Sequence, residues 1–119
     1  MASAVYDMAK GLITIDSDVI AKIAGTVASG CYGVVGMAYR SMTDEFANLL
    51  KKESITKGIK VTVSDKKVSL DVHIIVQYGV NINVTCESII SSVKYQVKRM
   101  TGLEVECVNV YVEGTRVHE

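Results

Sequence analysis

The sequence contains no proline and no tryptophan, one phenylalanine and two histidines, and its thirteen Lys and Arg are balanced by thirteen Asp and Glu. Each shortage removes a class of protein. Without net charge there is no general pull toward a phosphate backbone or an anionic bilayer, so no nucleic-acid partner is expected. With two histidines and with Cys31, Cys86 and Cys107 forming no C-x-x-C, the ligand spacing of a zinc site is missing and no cofactor is expected. Three thiols cannot all pair within one chain, which suits a reducing compartment and free cysteines acting as small core residues. No apolar run is longer than Ile74-Ile75-Val76, far short of the ~20 residues that span a bilayer. The segment Met1 to Asp7 has neither the basic nor the apolar region of a secretory signal. Dinucleotide-binding and P-loop glycine motifs are absent as well.

The 119 residues, 49% of them hydrophobic, suffice for one packed core and are too few for two. The reading is a flexible N-terminus over 1–10 and a single domain over 11–117. Gly11 to Ile15 is β-branched and ends in Asp16-Ser17-Asp18, a helix-start cluster. Val19, Ile23 and Val27, flanked by Ile20, Ala24 and Ala28, then describe one apolar helical face over about 18–29. Gly30, Gly33 and Gly36, around Val34 and Val35, lead out through a glycine cap into a short strand. From Ser41 to Ser54, Met42, Phe46, Leu49 and Leu50 predict a second helix, acidic at its start and basic at its end.

Alternation then takes over. Ile59, Val61 and Val63, followed after Asp65-Lys66-Lys67 by Val68, Leu70, Val72, Ile74, Val76 and Tyr78, predict a β-hairpin with one buried face. Ile82, Cys86, Ile89, Ile90, Val93, Val97 and Met100 form a helical stripe closed by Gly102. The last segment alternates through Leu103, Val105 and Cys107, then changes phase to Val108, Val110 and Val112. A one-residue phase change implies a bulge or a strand buried on both faces. The order is β-α-β-α-β-β-α-β, an α+β class with a small mixed sheet and helices mainly on one face.

Ser69, Asp71 and His73 have the residue types of a nucleophilic triad and share one face of the long strand with Ile75 and Gln77. Alternate residues on a strand stand ~6.8 Å apart and nearly parallel, whereas a triad must converge beside an oxyanion donor. The five residues are therefore read as an interaction surface, and neither an enzyme nor a small-molecule substrate is expected. Gly30-Cys31-Tyr32-Gly33 and Gly33-Val34-Val35-Gly36 both read G-x-x-G, the backbone clamp of KH domains. Neither carries a basic residue, and both follow a helix into a strand, so a KH-like RNA-binding module is the alternative rather than the leading reading. Asn83-Val84-Thr85 satisfies a glycosylation sequon, but Asn83 at a helix start reads as a cap. Lys66-Lys67 and Lys94, Lys98 and Arg99 read as solubilising surface. His118, beside the terminal Glu119, has no ordered neighbours with which to build a site.

Taken in order, Gly11-Leu12-Ile13-Thr14-Ile15, Val19 to Ala24, Gly33-Val34-Val35-Gly36-Met37-Ala38, Val76 to Ile82, Val93-Lys94-Tyr95-Gln96-Val97, Thr101 to Val105 and Val108 to Val112 resemble the alkaline shock protein family of bacterial envelope stress response proteins, in its short YloU-like branch. The resemblance covers residues 11–117. It implies a cytoplasmic, chiefly Gram-positive protein without established enzymatic activity, acting as an interaction or scaffold protein linked to envelope or lipid homeostasis. It also implies protein partners, including further copies as a homo-oligomer. Some members are held near the inner face of the membrane by a membrane-embedded partner, and the short branch is linked by gene neighbourhood to a fatty-acid kinase type of enzyme. The extended charged tails of the longer members are not matched here, which counts against filament formation and tethering and leaves location near the inner face of the membrane through a partner as an open expectation.

Overall fold

The computed structural model describes residues 3–8, 11–38, 58–64 and 67–117. The elements in order are β1 (Ser3–Met8), β2 (Gly11–Asp16), α1 (Ser17–Ser29), β3 (Val34–Met37), β4 (Ile59–Ser64), β5 (Lys67–Gln77), α2 (Ile82–Thr101) and β6 (Glu104–Arg116). The expected α+β class and mixed sheet are what forms, with β3 and β4 antiparallel to β5 and β6 parallel to it. The helix expected over 41–54 lies outside the described residues.

β5 is the centre of the sheet because its alternation is strict. Val68, Leu70, Val72, Ile74 and Val76 all lie on one face and are fully buried, each such side chain contributing roughly 1.5–3 kcal/mol of transfer free energy, whereas Tyr78, expected to continue the series, follows the end of β5 and is 69% exposed. β4 pairs with the first half of β5, from Ile59 opposite Val72 to Ser64 opposite Lys67, and β3 pairs with the second half, Val34 opposite Val76 and Met37 opposite Ile74. These two short strands thus lie end to end along the same edge. The backbone of His73 joins them, its N–H donating to Gly58 at 2.8 Å and its carbonyl accepting from Ala38 at 3.0 Å. β6 takes the other edge over its full length, and a parallel partner requires a crossover, which α2 provides.

Both helices cover the Val68–Val76 face. Ile20, Ala24 and Ala28 of α1 and Ile89, Val93 and Val97 of α2 form one core with the five β5 residues and with Leu103, Val105 and Val108. The small alanines of α1 let it approach closely. Asp16 caps α1, its carboxylate accepting from the Asp18 N–H at 3.1 Å. Asn81 caps α2 in the same way through Val84 at 3.1 Å. The cap is therefore Asn81 and not Asn83, which lies inside the first turn: the helix begins at Ile82, two residues earlier than a cap at Asn83 would place it. The α2 stripe is also rotated from the expected one. Its buried line is Thr85, Ile89, Val93, Val97 and Thr101, while Ile82 and Met100 are 46% and 62% exposed. Thr101 is admitted to the core because its hydroxyl donates to the Val97 carbonyl and accepts from the Leu103 N–H. Gly102, at φ 78°, ends the helix in the left-handed region.

Two further features depart from the sequence reading. The stretch expected as a flexible N-terminus contributes β1, which forms an antiparallel hairpin with β2. β2 in turn pairs with β1 and is not a member of the mixed sheet. Its Leu12 is 63% exposed and Ile13 and Ile15 are only half-buried, too little burial for a strand inside a sheet. The phase change in β6 is a bulge: Val105 pairs with Val68 and Cys107 with Ser69, leaving Glu106 as the extra residue. A second bulge at Glu113, between Val112 opposite Ile74 and Gly114 opposite Ile75, carries no such sequence signal.

Candidate functional site

Because strand side chains alternate, burying Val68 to Val76 beneath the helices forces Ser69, Asp71, His73, Ile75 and Gln77 onto the opposite face. Among the described residues neither helix packs there. The parallel register brings β6 residues beside them, Cys107 opposite Ser69, Asn109 opposite Asp71, Tyr111 opposite His73 and Arg116 opposite Gln77. On the other flank β4 contributes Thr62 opposite Ser69 and Lys60 opposite Asp71.

These neighbours determine the chemistry of the face. The Asn109 amide donates to the Asp71 carboxylate at 3.0 Å. The His73 ring stacks on Tyr111, with centroids 4.7 Å apart and planes 12° from parallel, and its Nδ1 lies 2.6 Å from the Glu113 carboxylate. His73 is buried at 7% exposure, while Ser69, Asp71, Ile75 and Gln77 are half-buried. The polar groups are thus engaged with β6 and not with one another: Asp71 bonds to Asn109 and His73 to Glu113, so the residues of the suspected triad are separate pairs. Glu113 continues the alternation of Asn109 and Tyr111 onto this face and is the extra residue of the second bulge. Asn109, Tyr111 and Glu113 escape sequence reasoning because their importance comes from a register set forty residues away along the chain; only the alternation of Asn109 and Tyr111 between valines hints that they share a face.

The other candidates fall elsewhere. Gly30 caps α1 and Gly33 opens β3, so the first G-x-x-G tetrad joins a helix to a strand, not the two helices a KH clamp requires. Gly33 is needed for its own reason: at φ 89° a Cβ would sit 2.9 Å from the Thr85 hydroxyl and 3.2 Å from Val80. An open cleft of about 500 Å³ runs beside this turn between α1 and α2, lined by Thr26, Tyr32, Ser92, Tyr95 and Gln96 with no charged side chain. The three cysteines are free and half-buried, at the margin of the core instead of within it. Cys31 donates to the Val27 carbonyl, and burial pushes the Cys86 thiol up, away from the thiolate form a nucleophile needs. Lys98 pairs with Glu104 at 2.5 Å, and this hydrogen bond holds the Glu104 carboxyl below its usual range. His118 lies outside the described residues. Among the described residues no group of three or more His, Cys, Asp or Glu side chains could hold a metal, and no helix is long and apolar enough to cross a membrane.

Similarity to known proteins runs the length of this arrangement. The chain is 40% identical over 108 residues to the uncharacterized protein YloU of Bacillus subtilis, covering 90% of each. It is 35% identical over 113 residues to a stress response regulator, a gls24 homolog of Streptococcus pyogenes, covering 92% of this chain and 62% of that one. Among solved structures, a variant of MamM CTD superposes with a TM-score of 0.51 at 13% identity, covering 87% of this chain and 100% of the other, a likeness of fold alone. Residues 6–117, which include both described helices, the described mixed sheet and its polar face, match the alkaline shock protein 23 family, described as having a cell envelope-related function, and the chain belongs to that family.

Proposed function

We propose that this chain is a non-enzymatic interaction protein of the bacterial envelope stress response, presenting the outer face of its sheet to a protein partner. The observation that carries the reading is that Ser69, Asp71, Ile75 and Gln77 stand half-buried on a face without a helix among the described residues, backed by a core that holds β5 rigid. A surface of fixed, mixed polar and apolar side chains suits recognition of another protein. The family's envelope-related description and the stress-response name of a relative support the cellular setting. In this reading the protein works in the cytoplasm and reaches the inner face of the membrane through a membrane-embedded partner. Partner capture from the native host tests it. The wild-type chain recovers an envelope or lipid-metabolism protein, and the double substitution Asp71→Lys, Gln77→Lys, which leaves the helix-side core untouched, loses it. Equal recovery with both chains, or none with either, sinks the proposal.

A further inference from the structure

β6 has one edge on β5 and no backbone partner on its other edge among the described residues. Free edges are ordinarily blunted by charge, bulges or proline. Here those devices stand at the two ends of the strand: Glu104 and the bulge at Glu106 on one side, the bulge at Glu113 and Arg116 on the other. Between them Cys107-Val108-Asn109-Val110-Tyr111-Val112 carries no charge and is rich in strand-forming residues. Val110 and Val112 are only half-buried against the core, so a further strand would complete their burial.

We propose that this edge pairs antiparallel with the same edge of a second copy of the chain, about a two-fold axis through Val110. Directly opposite side chains of an antiparallel pair share a face, which restricts the register. An axis at Val110 sets Val110 against its counterpart and Val108 against Val112 on the helix side, with Asn109 against Tyr111 on the outer side. Glu106 then falls opposite Gly114 and Glu113 opposite Cys107, so each bulge meets the opposing strand once and the faces agree again beyond it. Val105 consequently meets Thr115, and Glu104 meets Arg116, an opposite-charge pair at each end of the interface. An axis at Tyr111 would set Val108, on the helix side, opposite Gly114, on the outer side. One at Asn109 would leave Arg116 beyond the start of the facing strand. The pairing makes one continuous sheet through two chains, an isologous contact that closes at a dimer. The interface adjoins the outer face, where Arg116 stands opposite Gln77 and Asn109 opposite Asp71, and Asp71→Lys alone distinguishes the two readings, since Asp71 is opposite neither Glu104 nor Arg116.

Sedimentation equilibrium of the full chain tests the register. Wild type is a dimer. Arg116→Glu or Glu104→Arg alone brings like charges together at both ends and weakens dimerisation about tenfold, and the double exchange returns it to within about threefold of wild type. The rescue matters because Glu104→Arg also breaks the ion pair with Lys98, which a purely structural effect would not repair. With the three native cysteines replaced by serine, Val110→Cys oxidises to a covalent dimer, since facing residues lie within disulfide reach, and Asn109→Cys does not. A chain monomeric at millimolar concentration, single exchanges that leave the dimer unaltered, or cross-linking at Asn109 in place of Val110 would overturn the proposal.

Discussion

The two faces of β5 come from alternate residues of one 11-residue strand and do opposite work. On the helix side five aliphatic side chains are fully buried, and their partners come from both helices and β6. On the outer side the partners come from neighbouring strands, and the contacts are single hydrogen bonds and one ring stack. The first arrangement is collective and tolerates little change. The second leaves each side chain able to exchange its neighbour for a group on another protein at small cost to the fold, which is what the proposed interaction surface requires.

The sharpest test of this contrast sets adjacent residues against each other. Leu70→Ala lowers the unfolding free energy by about 2–5 kcal/mol in urea titration, because the helices close only partly over the space it vacates. Asp71→Ala, one residue on, costs about 1 kcal/mol or less; equal losses would erase the distinction between the faces. A smaller effect is expected where the α1–β3 turn closes against the start of α2. Gly33→Ala costs about 1–2 kcal/mol by the same measurement, from the positive φ and the approach of Cβ to the Thr85 hydroxyl. An unchanged midpoint would show that this end of the helix layer is loosely closed.

The smallest effect lies at the rim. Since the Lys98 hydrogen bond lowers the Glu104 carboxyl in the folded state, the pair stabilises above the carboxyl's unfolded pKa, and that contribution is lost as pH falls through the lowered folded value. Lys98→Met therefore moves the Glu104 titration in a carbon-detected NMR experiment back up toward the usual carboxylate range. At so exposed a position it changes stability little. A titration that stays where it was would exclude Lys98 as the cause.

Legibility followed the range of the interactions involved. The hairpin of β4 and β5, both described helices and the first bulge of β6 could be read because periodicity is local: alternation and three-to-four spacing report which side of an element is buried. The rotation of α2 that buries Thr85 and Thr101 could not, because an apolar count admits Ile82 and Met100 before a threonine whose hydroxyl is satisfied by its own helix. The pairing of β1 with β2, and their separation from the mixed sheet, depended on which strands meet. The five residues of the outer face were legible as a set, but their partners on β6 were not.

Sequence alone was enough for the class, for the central strand and the identity of its two faces, and for the resemblance to a family, because each rests on patterns within a few residues or on motifs kept in order. Only the tertiary structure decided that His73 bonds to Glu113 and stacks on Tyr111, that Asp71 answers to Asn109, and that the far edge of β6 stands free among the described residues. Those facts depend on a parallel register and two bulges, set by how the crossover helix seats on the sheet, and no local pattern encodes that seating.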